Sequence, residues 1–296
     1  MENKSIYLYD DGIGKVELVD HVGSDLTIVN SARVSFGVHK TELDDKDSKL
    51  IRYLIKHRHT STLEHCFVTF RVKVPLFIRS QHHRHRTWSY NEISRRYTAE
   101  SLEFYSPKSF RTQHSSNRQA SNSNEQINPR LFEARVVGVG EPLNASEAVR
   151  QHHFASVSLY ENLMEKGVCR EQARGVLPQN LYTEYYASAN LNNILKFIDL
   201  RSHDGAQWEI VQVAAAMLKI LEDLYPETIK AYYEIKGELQ SYLKFYGEYI
   251  TIKDLIIVIT KNFTIRRDYP NCSYLSYDQK PNYTKSCIDM NIKKIV

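Results

Sequence analysis

Between Gln81 and Tyr97 the chain reads Q-H-H-R-H-R-T-W-S-Y-N-E-I-S-R-R-Y, setting Arg84, Arg86, Arg95 and Arg96 against a single carboxylate, Glu92. His82, His83 and His85 lie among them. Such a cluster repels itself, because guanidinium groups stay ionised at any working pH; their rigid donor forks fit phosphate or carboxylate. A fold containing this run has to hold it where an anion can offset the repulsion. A solvated basic face is the ordinary alternative. Against it stand Trp88, Tyr90, Ile93 and Tyr97, interleaved with the charges, for which a solvated run has little use. Arginines beside aromatics also describe a single-strand nucleic-acid surface, so an anion site and a nucleic-acid module both stay open here.

The segments around this run predict a rigid platform. Val68, Phe70, Val72 and Val74 alternate with Thr69, Arg71 and Lys73, the pattern of a half-buried strand. Pro75 ends it and suits the first turn of a helix through Leu76-Phe77-Ile78, which would set Gln81 and Arg84 one turn apart on one face. Upstream, residues 6–9, 16–19 and 26–29 read as short strands, with Asp11-Gly12-Ile13-Gly14-Lys15 a turn, since it lacks the spacing and ending of a phosphate loop. Leu50, Ile51, Leu54 and Ile55 recur at helical spacing between Asp44 and His57. Residues 108–130 are polar, rich in Ser, Asn and Gln, and read as a mobile loop or lid. Helical periodicity returns over 145–167, with Gly167 as its stop, and over 190–200, where Leu191, Ile194, Leu195 and Ile198 form the apolar side and Arg201 follows. Strands early, helices late and no βαβ alternation predict an α+β fold with an antiparallel sheet.

The chain has 296 residues, 42% hydrophobic and 25% charged, the profile of a soluble globular protein. A net charge of +4 is small for a dedicated nucleic-acid protein. Cys66, Cys169, Cys272 and Cys287 form no C-x-x-C pair, so neither a zinc ribbon nor a disulfide framework is indicated, and a reducing cytoplasm fits best. The N-terminus carries no apolar signal region and Leu255–Thr260 is too short an apolar run to span a bilayer, so no membrane role is expected. His59, His65 and the intervening residues have a loop-like composition, and no metal is expected.

Arg84-His85-Arg86 followed by Ser89-x-Asn91-Glu92-x-Ser94-x-Arg96-Tyr97 resembles the signature of the flavin-dependent thymidylate synthases. Further matches flank it. Ala32-Arg33-Val34-Ser35 looks like a family feature, and His59-Thr60-Ser61-Thr62-Leu63-Glu64-His65 resembles H-x-T-P-x-E-H, with Thr62 in place of the usual proline. The stretch from Arg170 to Thr183 resembles R-E-x-A-R-x-x-L-P-x-x-x-Y-T, and Arg201-x-x-x-x-Ala206-Gln207-Trp208-Glu209-Ile210 matches R-x-x-x-x-A-Q-W-E-I. The resemblance covers about residues 1–237; residues 238–296 match no motif and are expected to be a C-terminal extension.

The resemblance implies conversion of dUMP to dTMP, with methylenetetrahydrofolate as carbon donor, FAD as hydride carrier, NADPH as reductant, and a homotetramer whose subunits share active sites. Position by position it places Gln81, Arg84, Glu92, Ile93, Ser94, Arg95, Arg96, Arg174 and Arg201 at the nucleotide. It places Ser35, His59, Ser61, Arg84, His85, Arg86, Glu92, Asn190, Asn192 and Lys196 at the flavin. Asn192, Lys196 and Arg95 depart from the residues common at these positions. Arg201 is the implied catalytic group, a fixed cation that promotes ionisation of the uracil ring at N3. Two rivals remain: an inactive relative that binds nucleotide, and a nucleic-acid module. Cys66 and Cys169 read as structural, and Ser94 as a binding hydroxyl because no base stands beside it. Trp208, Val211, Ala215 and Leu218 at helical spacing read as core.

Overall fold

The computed structural model describes residues 4–98, 102–131, 143–203 and 205–236. The expected extension at 238–296 lies outside these residues. The first elements are β1 (Ser5–Tyr7), β2 (Lys15–Val22), α1 (Asp25–Arg33), α2 (Asp45–Lys56), β3 (Phe67–Pro75) and α3 (Leu76–His82). Next come β4 (Ser89–Glu92), β5 (Phe110–Gln113), β6 (Ser121–Ile127), β7 (Arg130–Leu131), β8 (Leu143–Asn144) and α4 (Ala145–Glu165). The remainder is α5 (Arg170–Ala173), β9 (Tyr182–Asn190), α6 (Leu191–Arg201), α7 (Trp208–Leu224) and α8 (Pro226–Lys236), with single 3₁₀ turns at Val34–Phe36, Thr60–His65 and Arg174–Val176.

A five-stranded antiparallel sheet runs β1-β2-β3-β9-β4, confirming the α+β expectation. Its central strand is the alternating segment: Val68, Phe70, Val72 and Val74 are buried, each burial contributing about 1.5–3 kcal/mol. In full register β3 pairs with β9, Phe67 opposite Asn190 and Pro75 opposite Tyr182. Against the sheet pack Ile194 and Phe197 of α6, Val213 and Met217 of α7 and Ile28 of α1, all in one core. The predicted apolar side of α6 is buried as expected, and Arg201 is its last helical residue. α2 begins where predicted, its first amides capped by Asp44. Gly167, at φ +88°, closes the turn after α4.

Three local expectations are corrected. Residues 26–29 belong to helix α1, not to a strand. A β-branched run fits either element, and the choice is made at long range: the Asp25 carboxylate accepts the amides of Glu227 and Thr228 at 2.9 and 3.0 Å, fastening the start of α1 to the start of α8. The polar stretch at 108–130 contains the β5–β6 hairpin, whose residues Phe110 and Ile127 face each other. Helix α3 ends at His82, so Arg84 lies in the following turn and is exposed while Gln81 is half-buried.

A smaller core under α4 and α5 gathers Tyr160, Ala173, Leu177 and Leu181 against Leu76, Leu163 and Val176. It seats the turn that carries Arg174 beside β9 and the start of α3.

Candidate active site

A cleft of about 670 Å³ opens where α3, β4, β9 and the turn after α5 meet. Six of the residues assigned to the nucleotide line it: Glu92, Ile93, Ser94, Arg95, Arg96 and Arg174. They come from two segments far apart in sequence, and the pairing of β4 with β9 is what joins them. Arg79 of α3 lines the same cleft, and Glu171 stands at its rim. Four arginines against two glutamates leave two positive charges, the complement of a phosphate monoester, which carries about −1.5 to −2 near pH 7.

The carboxylate of Glu92 is fully engaged. Arg79 Nε donates to it at 2.8 Å and the Thr183 hydroxyl at 2.6 Å, which straps edge strand β4 to α3 and β9. With Arg79 neutralised in this way, Arg96 and Arg174 are the exposed cations of the cleft, and neither makes an ion pair among the described residues. Arg95 is half-buried with its guanidinium 3.5 Å from the Tyr182 carbonyl, and burial lowers its pKa. Ser94 Oγ accepts the Arg96 amide at 3.3 Å and Arg96 Nε at 3.5 Å.

Gln81, Arg84 and Arg201 do not line this cleft. Arg201 instead donates from Nε to His85 Nε2 at 3.2 Å and from Nη2 to the Gln81 carbonyl at 3.1 Å. Burial, with the nearby Arg201 cation, lowers the His85 pKa to about 4, so the ring is neutral and its Nε2 is a true acceptor. Gln81 and Arg79 sit two residues apart on α3, so one short helix serves both groups.

The residues assigned to the flavin spread along and beside α6. Asn190 caps that helix by accepting the Asn193 amide at 2.9 Å. Asn192 is buried and donates to Glu64 at 2.8 Å, which draws the exposed His59 and Ser61 of the 3₁₀ turn to the N-terminal end of α6. Lys196 is exposed on the same helix, Ser35 is exposed in the 34–36 turn, and the exposed Arg84 and Arg86 make no ion pair among the described residues. Two open guanidinium forks can take a pyrophosphate. Among the described residues no group of three or more His, Cys, Asp or Glu could hold a metal ion.

Several expected surface groups are interior. His82 is fully buried with Nδ1 2.9 Å from the Tyr185 hydroxyl, its ring 4.8 Å from Trp88 and 4.6 Å from Phe197. Burial drives its pKa well below the ordinary value. Trp88 is buried beside it, and half-buried Tyr90 donates its hydroxyl to the carbonyls of His82 and His85. Of the aromatics in this run, Tyr97 is the one that is largely exposed, with the Arg96 guanidinium 5.3 Å over its ring. Of the cysteines, Cys66 is buried and its thiol is pushed up to about 12 by burial, as a structural residue should be. Cys169 is exposed instead, 3.8 Å from Gln172 Oε1.

Sequence reasoning missed Arg79, Thr183, Gln207 and Glu209. Arg79 lay two residues before the charged run that drew attention. Gln207 and Glu209 were visible as polar residues in an apolar motif. Trp208 and Val211, read as core with Ala215 and Leu218, are only half-buried: Trp208 packs against Tyr9 and carries the Arg111 guanidinium 5.3 Å over its ring.

Comparison with known proteins agrees with this geometry. A family model described as "Thymidylate synthase complementing protein" matches residues 17–227. The "Flavin-dependent thymidylate synthase" of Thermotoga neapolitana is 40% identical over 228 residues, 76% of this chain and 94% of that protein. The protein of the same name from Thermus thermophilus is 43% identical over 221 residues, 75% of this chain and 76% of its own. Among solved structures, the UMP/dUMP methylase PolB from Streptomyces cacaoi bound with 5-Br dUMP superposes with a TM-score of 0.62 at 32% identity, covering 77% of this chain and 97% of that one. The chain belongs to the thymidylate synthase complementing protein family, that of the flavin-dependent thymidylate synthases.

Proposed function

We infer that this protein is a flavin-dependent thymidylate synthase that methylates dUMP to dTMP. The observation that carries the reading is the arginine-lined cleft, whose excess of two positive charges suits a nucleoside monophosphate, in a chain with relatives of that name. Arg96 and Arg174, exposed and without an ion pair among the described residues, hold the phosphate in this reading, with Ser94 and Ile93 beside them. Gln81 and Arg84 complete the nucleotide contacts from α3 and its following turn. Methylenetetrahydrofolate supplies the carbon, and FAD, reduced by NADPH, supplies the hydride. Arg84 and Arg86 would hold the flavin pyrophosphate, and His59, Ser61, Ser35, His85 and Glu92, with Asn190, Asn192 and Lys196 at α6, would hold or shape the rest of the cofactor's site.

Arg201 is the catalytic residue of this proposal. Pinned by His85 and the Gln81 main-chain carbonyl, its guanidinium is a fixed cation whose pKa is lowered by burial; in this reading it stabilises the negative charge that develops on the uracil ring. Ionising the ring at N3 makes its C5 carbon nucleophilic with no enzyme nucleophile. That accords with Cys66 being buried with a raised pKa and Cys169 not lining the cleft.

We further propose a cytoplasmic homotetramer. Exposed Val34, Phe36, Phe154 and Leu159 offer apolar contact area, and among the described residues no helix is long and apolar enough to cross a membrane. The test of function is anaerobic: a flavin absorption band that bleaches with NADPH, followed by dTMP formation when dUMP and methylenetetrahydrofolate are added. A protein that takes up no FAD and forms no dTMP refutes the reading. A catalytically active monomer on sizing refutes the tetramer.

A further inference from the structure

Gln207 and Glu209 hold a position that the mechanism above does not use. Gln207 precedes α7 and Glu209 lies in its first turn, where a carboxylate is favoured by the helix dipole. Glu209 is buried, and Arg111 of strand β5 donates to both of its oxygens at 2.8 Å, while the Tyr105 hydroxyl donates at 3.1 Å. Gln207 Nε2 donates to the same carboxylate at 3.0 Å. An ionised carboxylate only accepts, so it dictates which way the Gln207 amide points. Gln207 Oε1 is thereby turned to Gln81, whose Nε2 donates to it. The main-chain carbonyl of the same residue, near the end of α3, is what Arg201 Nη2 donates to. A single charge thus orients the Gln207 amide and tethers the Gln81 side chain to the start of α7, holding the end of α3 on which Arg201 rests.

We propose that Glu209 and Gln207, with Arg111 of the β5–β6 hairpin, are positioning residues that fix Gln81 and through it Arg201. The proposal rests on the role given to Arg201 above. It also gives the hairpin a function: its attachment to α7 is coupled to alignment of the reacting cation, with Arg111 further stacked on Trp208.

The test uses the full-length flavin-loaded protein and compares variants with wild type. Gln207→Met keeps the side-chain volume, leaves the Arg111–Glu209 pair in place and removes both amide bonds. It is expected to lower kcat about 10- to 100-fold, as a misaligned transition-state contact does. KM for dUMP and flavin content should stay within about threefold of wild type. Because an aligned cation favours the ionised ring, the loss should be largest at low pH and shrink as pH rises. In an Arg201→Ala background the same substitution should cause no additional loss. Arg111→Ala should reproduce the defect in part and Arg111→Lys should recover it, since one ammonium can reach both Glu209 oxygens. Retention of kcat within twofold in Gln207→Met overturns the proposal. So does a loss that is equal at every pH and multiplies fully with Arg201→Ala, the mark of a purely structural effect. Wild-type protein that forms no dTMP fails the functional reading itself, a result distinct from any difference between variants. A calorimetric titration of dUMP into each flavin-loaded variant, with no folate present, gives a binding readout independent of turnover.

Discussion

Replacing Arg201 by alanine isolates the cation on which the proposed chemistry depends. In the folded protein its guanidinium makes two hydrogen bonds, to His85 at 3.2 Å and to the Gln81 carbonyl at 3.1 Å. Each contributes about 1 kcal/mol, and the partly desolvated cation gives back a similar amount when it is removed. The net change in unfolding stability should therefore stay within about 1–2 kcal/mol, or a melting shift of a few degrees. Turnover should respond far more. Loss of one fixed donor at a developing anion costs about 10²- to 10³-fold in kcat, about 2.7–4 kcal/mol. The Arg201→Lys variant keeps the charge, but a single ammonium cannot serve both His85 and the Gln81 carbonyl in the same geometry, so it should fall between. The assay is dTMP formation at saturating dUMP and methylenetetrahydrofolate, with flavin content read from the visible spectrum and folding from a thermal melt. Near-normal kcat in Arg201→Ala at full flavin occupancy would refute the reasoning. An equally large loss that tracked loss of flavin or of folding would reassign Arg201 to structure.

Other outcomes follow from the same geometry. Arg174→Ala should leave stability unchanged, since this exposed side chain has no ion pair among the described residues, and should raise KM for dUMP about 10- to 100-fold through loss of a charge-assisted contact; steady-state kinetics with an unchanged KM would remove it from the phosphate site. Gly23→Ala should destabilise the fold by about 1–3 kcal/mol, because at φ +91° an added Cβ would sit 2.7 Å from Cys66 Sγ and 3.2 Å from its Cα; an unshifted urea midpoint would contradict this. Acid should weaken the protein before its carboxylates titrate. His82, His83, His85 and His153 all have pKa values lowered by burial, so the unfolded chain takes up protons first as pH falls below about 6.5, and for His85 the loss is complete only near its folded value of about 4. Urea midpoints should therefore decline between pH 7.5 and pH 5, and a flat profile there would show that these rings are not held neutral by the fold.

By itself the sequence determined the elements whose pattern has one solution. Strand β3 alternates with period two and sits at the centre of the sheet; α6 buries the four apolar residues that its spacing selected; Asp44 caps α2 where a helix start was expected. The arginine-rich run was legible as an anion site because its self-repulsion needs a partner wherever it lies. Tertiary structure alone decided the rest. Residues 26–29 could pair as a strand or coil as a helix until Asp25 met the start of α8, some 200 residues away. Trp88 and His82 look like site residues in a list of letters, yet one face of that run turns inward and buries both. The strap from Arg79 through Glu92 to Thr183, and the links from Arg111 to Arg201, join residues up to 126 positions apart. No spacing rule reaches that far, because side-chain periodicity records only which face of an element is apolar, while contact between faces is set by how the sheet and helices close on one another.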